Sequence, residues 1–174
     1  MNRIAVIGPS GAGKSTLARQ LGQILGIEVT HLDAIFWHTG WVQTPRSEWQ
    51  EIQRHMVESP RWIIDGNYGS TLDIRMARAD TVVFLDFSRR YTVPRVIRRR
   101  IQYSGKTRPD LAPGCPEKLD WEFIRWVWGF PKRQRPSIIR YYETRSVDQV
   151  WFWLRVPTDV KKFIRTFAAP QEDL

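Results

Sequence analysis

The sequence contains one cysteine, Cys115, among 174 residues, so it can form no internal disulfide, and a reducing, cytoplasmic setting is expected. No apolar run approaches the roughly 18 residues of a membrane span, and the stretch at 4–7 is too short for a signal-peptide core. Histidine is scarce, and neither His31 nor His38 has cysteine or carboxylate partners at metal-ligand spacing. Internal repeats are missing. So is any recognisable helix-turn-helix, zinc-finger or RNP signature.

Apolar residues make up 42% of the chain and charged residues 26%, which excludes wholesale disorder. The length suits a single domain, 1–174, whose core needs no disulfide or metal staple. Charge is unevenly spread: residues 89–145 hold 15 basic and 5 acidic side chains, and the remainder 12 and 13. Nearly all the cations of that segment are arginine, whose planar fork suits phosphate better than a lysine point charge does. Such a segment fits a nucleotide's phosphates or a nucleic-acid backbone; the plainer reading is a solvated basic face.

Residues 3–7 form a short apolar run without alternation, as in a strand covered on both faces. Next come Gly8, Pro9, Ser10, Gly11, Ala12, Gly13, Lys14, Ser15 and Thr16, a full G-x-x-x-x-G-K-[ST] motif. Leu17, Ala18, Leu21 and Leu25 then repeat at helical spacing, and Gly26 is placed to stop the helix. Between strand and helix, these glycines bring backbone N–H groups up to phosphates, and the helix N-terminus adds partial positive charge. Lys14 is expected on the β and γ phosphates of ATP, and the Ser15 hydroxyl on Mg²⁺.

A second strand, 28–32, leads to Asp33, which is either a general base or a Mg²⁺-side acid, or else a cap. Phe36, Trp37 and Trp41 follow, to stack a flat ligand or to pack a flap. Thr44 and Pro45 open a helix with Trp49, Ile52, Met56 and Val57 on its buried face. Strands at 62–65 and 81–85 end at Asp65 and Asp86, either of which could serve Mg²⁺, and a helix is expected over 71–79. After Pro94, Val96, Ile97 and Ile101 mark a helix crowded with arginines, and 104–116 reads as a loop. Residues 121–128 are apolar nearly all round, which predicts a buried or lid-packing helix. A strand at 149–154, a helix at 158–167 and a fraying tail after Ala169 complete the chain. The alternation predicts an α/β fold with a parallel sheet of about five strands.

The P-loop, the acids after strands two and three, the Arg-rich insertion and the closing strand-helix unit resemble the adenylate-kinase-like P-loop kinases. That resemblance implies a three-layer P-loop NTPase fold of sheet order 2-3-1-4-5, with a lid over ATP at about 95–135. The stretches around His31-Leu32-Asp33, Trp62 to Tyr68, Thr107-Arg108-Pro109-Asp110, Gly114 to Glu117, and Phe123 with Trp126 to Trp128 are similar to the DNA topology modulation (FlaR-like) family. Adenylate kinases continue the third strand with Asp-Gly-Phe-Pro-Arg, whose arginine grips the acceptor nucleotide. Here Asp65-Gly66-Asn67-Tyr68-Gly69 lacks it, and Arg75 is a substitute further along.

The expected activity is therefore ATP- and Mg²⁺-dependent phosphoryl transfer to a small acceptor, a nucleotide or nucleoside. Lys14, Arg95, Arg99, Arg133 and Arg135 would neutralise the transferring group and Asp33 would activate the acceptor. Phe36, Trp37, Trp41, Asp65 and Arg75 would line its pocket, and Ser15 and Asp65 would hold the metal. The alternative is a nucleotide-binding regulator that contacts DNA or RNA through 89–145.

Overall fold

The computed structural model describes residues 1–108, 111–117 and 120–168. Pro109 and Asp110 of the family-like stretch, and the tail expected to fray, lie outside the described residues.

Five strands, β1 (Arg3–Ile7), β2 (Val29–His31), β5 (Trp62–Asp65), β6 (Thr81–Leu85) and β7 (Val150–Leu154), form one parallel sheet in the order β2-β5-β1-β6-β7. Counted along the sheet strands alone, this is the expected 2-3-1-4-5. Two short strands, β3 (Trp37–His38) and β4 (Val42–Gln43), make a separate antiparallel hairpin that the sequence had not suggested.

Alternation along the strands explains the three layers. Ala5, Ile7, Ile64, Val82 and Phe84 face one side, and Ile4, Val6, Ile63, Val83 and Leu85 the other; all ten are fully buried. On the second side lie α1 (Lys14–Leu25) through Leu17 and Leu21, and α9 (Pro157–Ala168) through Phe163. The first side is covered by Trp49 of α3 (Arg46–Met56), Leu72 and Met76 of α4 (Leu72–Met76), Phe130 of α7 (Phe130–Arg133) and Ile138 of α8 (Arg135–Glu143). With both faces covered, every central strand can be apolar throughout, which is why the strands read as continuous runs.

Several local expectations are corrected. The second strand stops at His31, and Asp33 sits in the first turn of α2 (Leu32–Phe36). The helix expected over 71–79 is a 3-10 turn at Gly69–Thr71 followed by the short α4. Helix α5 (Arg89–Gln102) begins before Pro94, because the missing proline N–H leaves only the Arg90 carbonyl unmatched, at an exposed position. Helix α6 (Trp121–Trp128) is not buried: Trp121 is 70% exposed and Trp128 53%, and only Val127 is inside.

Candidate active site

At the carboxyl end of the sheet a cleft of about 1430 Å³ opens, larger than one small ligand needs and sufficient for two substrates. Its floor is the P-loop: Ser10, Gly11, Gly13, Lys14, Ser15 and Thr16 line it. Gly8, Pro9 and Ala12 stand behind that lining; the Ala12 N–H donates to the Pro9 carbonyl at 3.2 Å, and the Gly8 N–H to Asn67 Oδ1 at 2.8 Å. Gly11 has φ of +83°, and a Cβ there would sit 2.5 Å from the Thr92 carbonyl, so α5 presses directly on the loop. Among the described residues no helix is long and apolar enough to cross a membrane.

Lys14 starts α1 with its ammonium 3.2 Å from the Pro9 carbonyl. Desolvation pulls its pKa below the ordinary lysine value, Asp65 and Asp33 oppose that shift, and Arg99 and Arg108 add to it. Four charges thus act on the Lys14 ammonium, and the sequence could not have shown that Arg108 is among them.

Asp65 closes β5 beside His31 at the end of β2, and the parallel register places the two opposite each other. His31 Nδ1 lies 2.8 Å from Asp65 Oδ2, while Asp65 Oδ1 is buried without a hydrogen-bond partner. The rival acid, Asp86, has no such spare atom. Arg135 Nε donates to both its oxygens at 3.0 Å and Trp153 Nε1 donates at 2.9 Å.

Asp33 accepts a hydrogen bond from Tyr68 Oη at 2.7 Å on Oδ1. Burial and the Asp33 charge push the Tyr68 phenol well above its usual pKa, so it remains a donor. Phe36 meets Tyr68 at 4.7 Å and Trp37 at 5.0 Å between ring centres, and Trp37 meets Trp41 at 5.3 Å. Phe36, Trp37, Trp41 and Tyr68 therefore form one aromatic wall of the cleft, with Asp33 beside it.

Arg75 does not line the cleft. It is fully buried in α4, and its guanidinium donates to the carbonyls of Gly66 at 2.6 Å, of Asn67, and of Tyr68 at 3.4 Å. It holds the turn that presents Tyr68, and is not placed to grip an acceptor.

The basic segment divides. Arg95 donates to the Ala12 carbonyl at 3.4 Å and Arg99 to Ser10 Oγ at 3.3 Å, so both reach the P-loop. Arg133 is exposed, bonded to the Trp126 carbonyl, and Arg135 is held by Asp86; neither lines the cleft. Arg89 lies over Trp128 at 4.7 Å, Arg100 over Phe123 at 4.2 Å and Arg145 over Tyr142 at 4.0 Å. These arginines therefore have internal partners and are not simply a solvated face, the plainer reading of the segment.

A latch joins the two walls. The Gly40 N–H donates to the Gly114 carbonyl at 3.0 Å, Thr39 Oγ1 to Pro113 at 3.2 Å, Trp41 Nε1 to Pro116 at 3.1 Å and Cys115 Sγ to His38 at 3.2 Å. Gly114 has φ of +78°, and a Cβ there would meet Thr39 Cγ2 at 2.6 Å.

Tyr68, His31, Asn67, Arg108 and Glu117 had no role assigned from sequence. All five lie in the family-like stretches, but their partners are distant along the chain, so the stretches alone do not say what each side chain meets.

No family model matches the chain. It is 32% identical over 138 residues to the shikimate kinase of Rhodococcus erythropolis (strain PR4 / NBRC 100887), covering 71% of this chain and 78% of that protein. Among solved structures, the fold is similar to shikimate kinase from Bacteroides thetaiotaomicron, with TM-score 0.53, 20% identity, and 95% of both chains covered. It is also similar to a gluconokinase from Sinorhizobium meliloti 1021, with TM-score 0.53, 14% identity, and 95% and 89% covered.

Proposed function

This chain belongs to the shikimate kinase family and is a small-molecule P-loop kinase, and on that premise we propose that it phosphorylates a hydroxyl on a compact, flat-faced acceptor such as a nucleoside. The observation that carries this reading is the convergence of Lys14, Asp33 and Asp65 in one cleft with an aromatic wall beside Asp33. Shikimate and gluconate, named by the relatives, are themselves hydroxy compounds, in line with a hydroxyl acceptor.

Phosphoryl transfer depends mainly on position and charge. Lys14, Arg95 and Arg99 neutralise the terminal phosphates from the P-loop side. Asp33, oriented by Tyr68, accepts the proton of the attacking hydroxyl. Trp37 and Trp41 cover a flat face of the acceptor, and the committed state of Arg75 favours a nucleoside over a nucleotide. The residues fit a Mg²⁺ ion: Ser15 stands in the first turn of α1 at the phosphate nest, and Asp65 offers a buried oxygen without a partner. These two would hold the ion, which would neutralise charge on the transferring group. Asp33, Trp37, Tyr68, Arg108 and Glu117, which lie in or beside the stretches that resemble the DNA topology modulation family, line this same cleft.

The test is acceptor-dependent ADP release across nucleosides, nucleotides, shikimate, gluconate and other small alcohols. Turnover confined to a hydroxyl acceptor supports the proposal. Silence across the panel with intact ATP binding overturns it. DNA affinity that falls steeply with salt would favour the regulator alternative instead.

A further inference from the structure

Glu117 is 1% exposed, yet three guanidinium groups surround it: Arg108 Nε at 2.6 Å, Arg100 Nε at 3.4 Å and Arg99 Nε at 3.6 Å. All four residues line the cleft. The backbone of Glu117 is fixed on both sides. Its N–H donates to the Lys106 carbonyl at 3.0 Å, its own carbonyl accepts from the Gly105 N–H at 3.3 Å, and the latched residues 113–116 run directly into it.

Glu117 thus gathers three guanidinium groups at the cleft, and Asp120 adds its charge beside Arg100. The cluster faces the P-loop, because Arg99 donates to Ser10 Oγ and both Arg99 and Arg108 act on the Lys14 ammonium. Buried ion pairs seldom add net stability over apolar packing, so the arrangement is better explained by the geometry it imposes.

We propose that Glu117 is a positioning residue which fans Arg99 and Arg108 over the γ-phosphate end of bound ATP. The proposal rests on the kinase reading above. With the carboxylate in place, two long side chains are ordered before the nucleotide arrives, and the entropy of ordering them is not lost on binding. Without it the anchor that Arg99 and Arg108 share is lost, and their mutual repulsion is no longer offset there. AMP-PNP carries a γ-phosphate and its charge where ADP has none, so arginines that share the surroundings of Lys14 have an added anion to meet in the first and not in the second.

The experiment is calorimetric titration of the full chain with the non-hydrolysable analogue AMP-PNP and with ADP, for wild type, Glu117→Gln and Glu117→Asp, with thermal unfolding alongside. Glu117→Gln should weaken AMP-PNP by ~10-fold more than ADP, the scale of one charge-assisted hydrogen bond, and Glu117→Asp should recover part of the difference. Equal losses for both nucleotides, or a lowered Tm with unchanged affinities, would make Glu117 a structural staple and overturn the proposal. Tighter AMP-PNP binding would make it a competitor of the nucleotide and overturn it as well. If Glu117→Gln does not fold, Glu117→Asp carries the same comparison: a shifted AMP-PNP to ADP ratio supports the proposal and an unchanged ratio refutes it. Failure of the wild-type chain to bind either nucleotide would sink the kinase reading itself.

Discussion

Replacing Arg75 by methionine tests whether the turn at 66–68 is held from behind. Methionine fills much of the same volume but removes the guanidinium donors from the carbonyls of Gly66, Asn67 and Tyr68. The side chain is fully buried, so solvent does not replace those bonds, and each deserted carbonyl costs about 1–3 kcal/mol. Burial lowers the Arg75 pKa only to about 10, so the charge is present at neutral pH and strengthens each bond that is lost. Two well-made bonds give a loss of about 2–6 kcal/mol, offset by about 1 kcal/mol from the apolar replacement, for a net near 3 kcal/mol. At about 2–4 °C per kcal/mol for a chain of this size, Tm should fall by about 6–12 °C. Arg75→Lys should lose much of the same amount, because a point charge cannot span two carbonyls as the fork does. Thermal unfolding measures this, with AMP-PNP titration below the transition to show that the P-loop survives. An Arg75→Met chain melting within about 2 °C of wild type while its acceptor KM rises would refute the reasoning and return Arg75 to the acceptor site.

Lys14→Ala should abolish turnover and weaken ATP binding without lowering Tm appreciably, because the side chain faces the cleft; unfolding of this variant would contradict that placement. Asp33→Asn should lower kcat by about 100-fold or more while AMP-PNP affinity stays within a few-fold, and Tyr68→Phe should lower it less. A steady-state comparison with the acceptor found in the panel decides this, and an unchanged kcat in Asp33→Asn excludes the general base. Hydrogen exchange should show residues 95–135 further protected by AMP-PNP, as a segment that settles over the nucleotide requires; protection only on adding DNA would reverse that assignment.

The fold was legible because its strongest determinants are local. Four fixed P-loop positions between a strand and a helix, and strands apolar throughout, leave few arrangements other than a covered parallel sheet. What sequence could not show was direction. Arg75 and Arg99 both read as cations of the site, but one is held by three carbonyls and the other reaches the P-loop. Asp65 and Asp86 both end apolar strands, and they differ only because Arg135 and Trp153 reach the second from distant elements. Helix α6 misled for a related reason. An apolar surface all round predicts burial, whereas here Trp121 and Trp126 border the cleft.

The latch between residues 38–41 and 113–116 couples two segments that are far apart along the chain. Its four hydrogen bonds tie the hairpin next to the aromatic wall to the loop that ends at Glu117. Lifting the loop alone would break all four at once, whereas moving both segments together breaks none. Any rearrangement of the cleft that spares these bonds must therefore carry its aromatic and its arginine-rich sides together, as one unit rather than two.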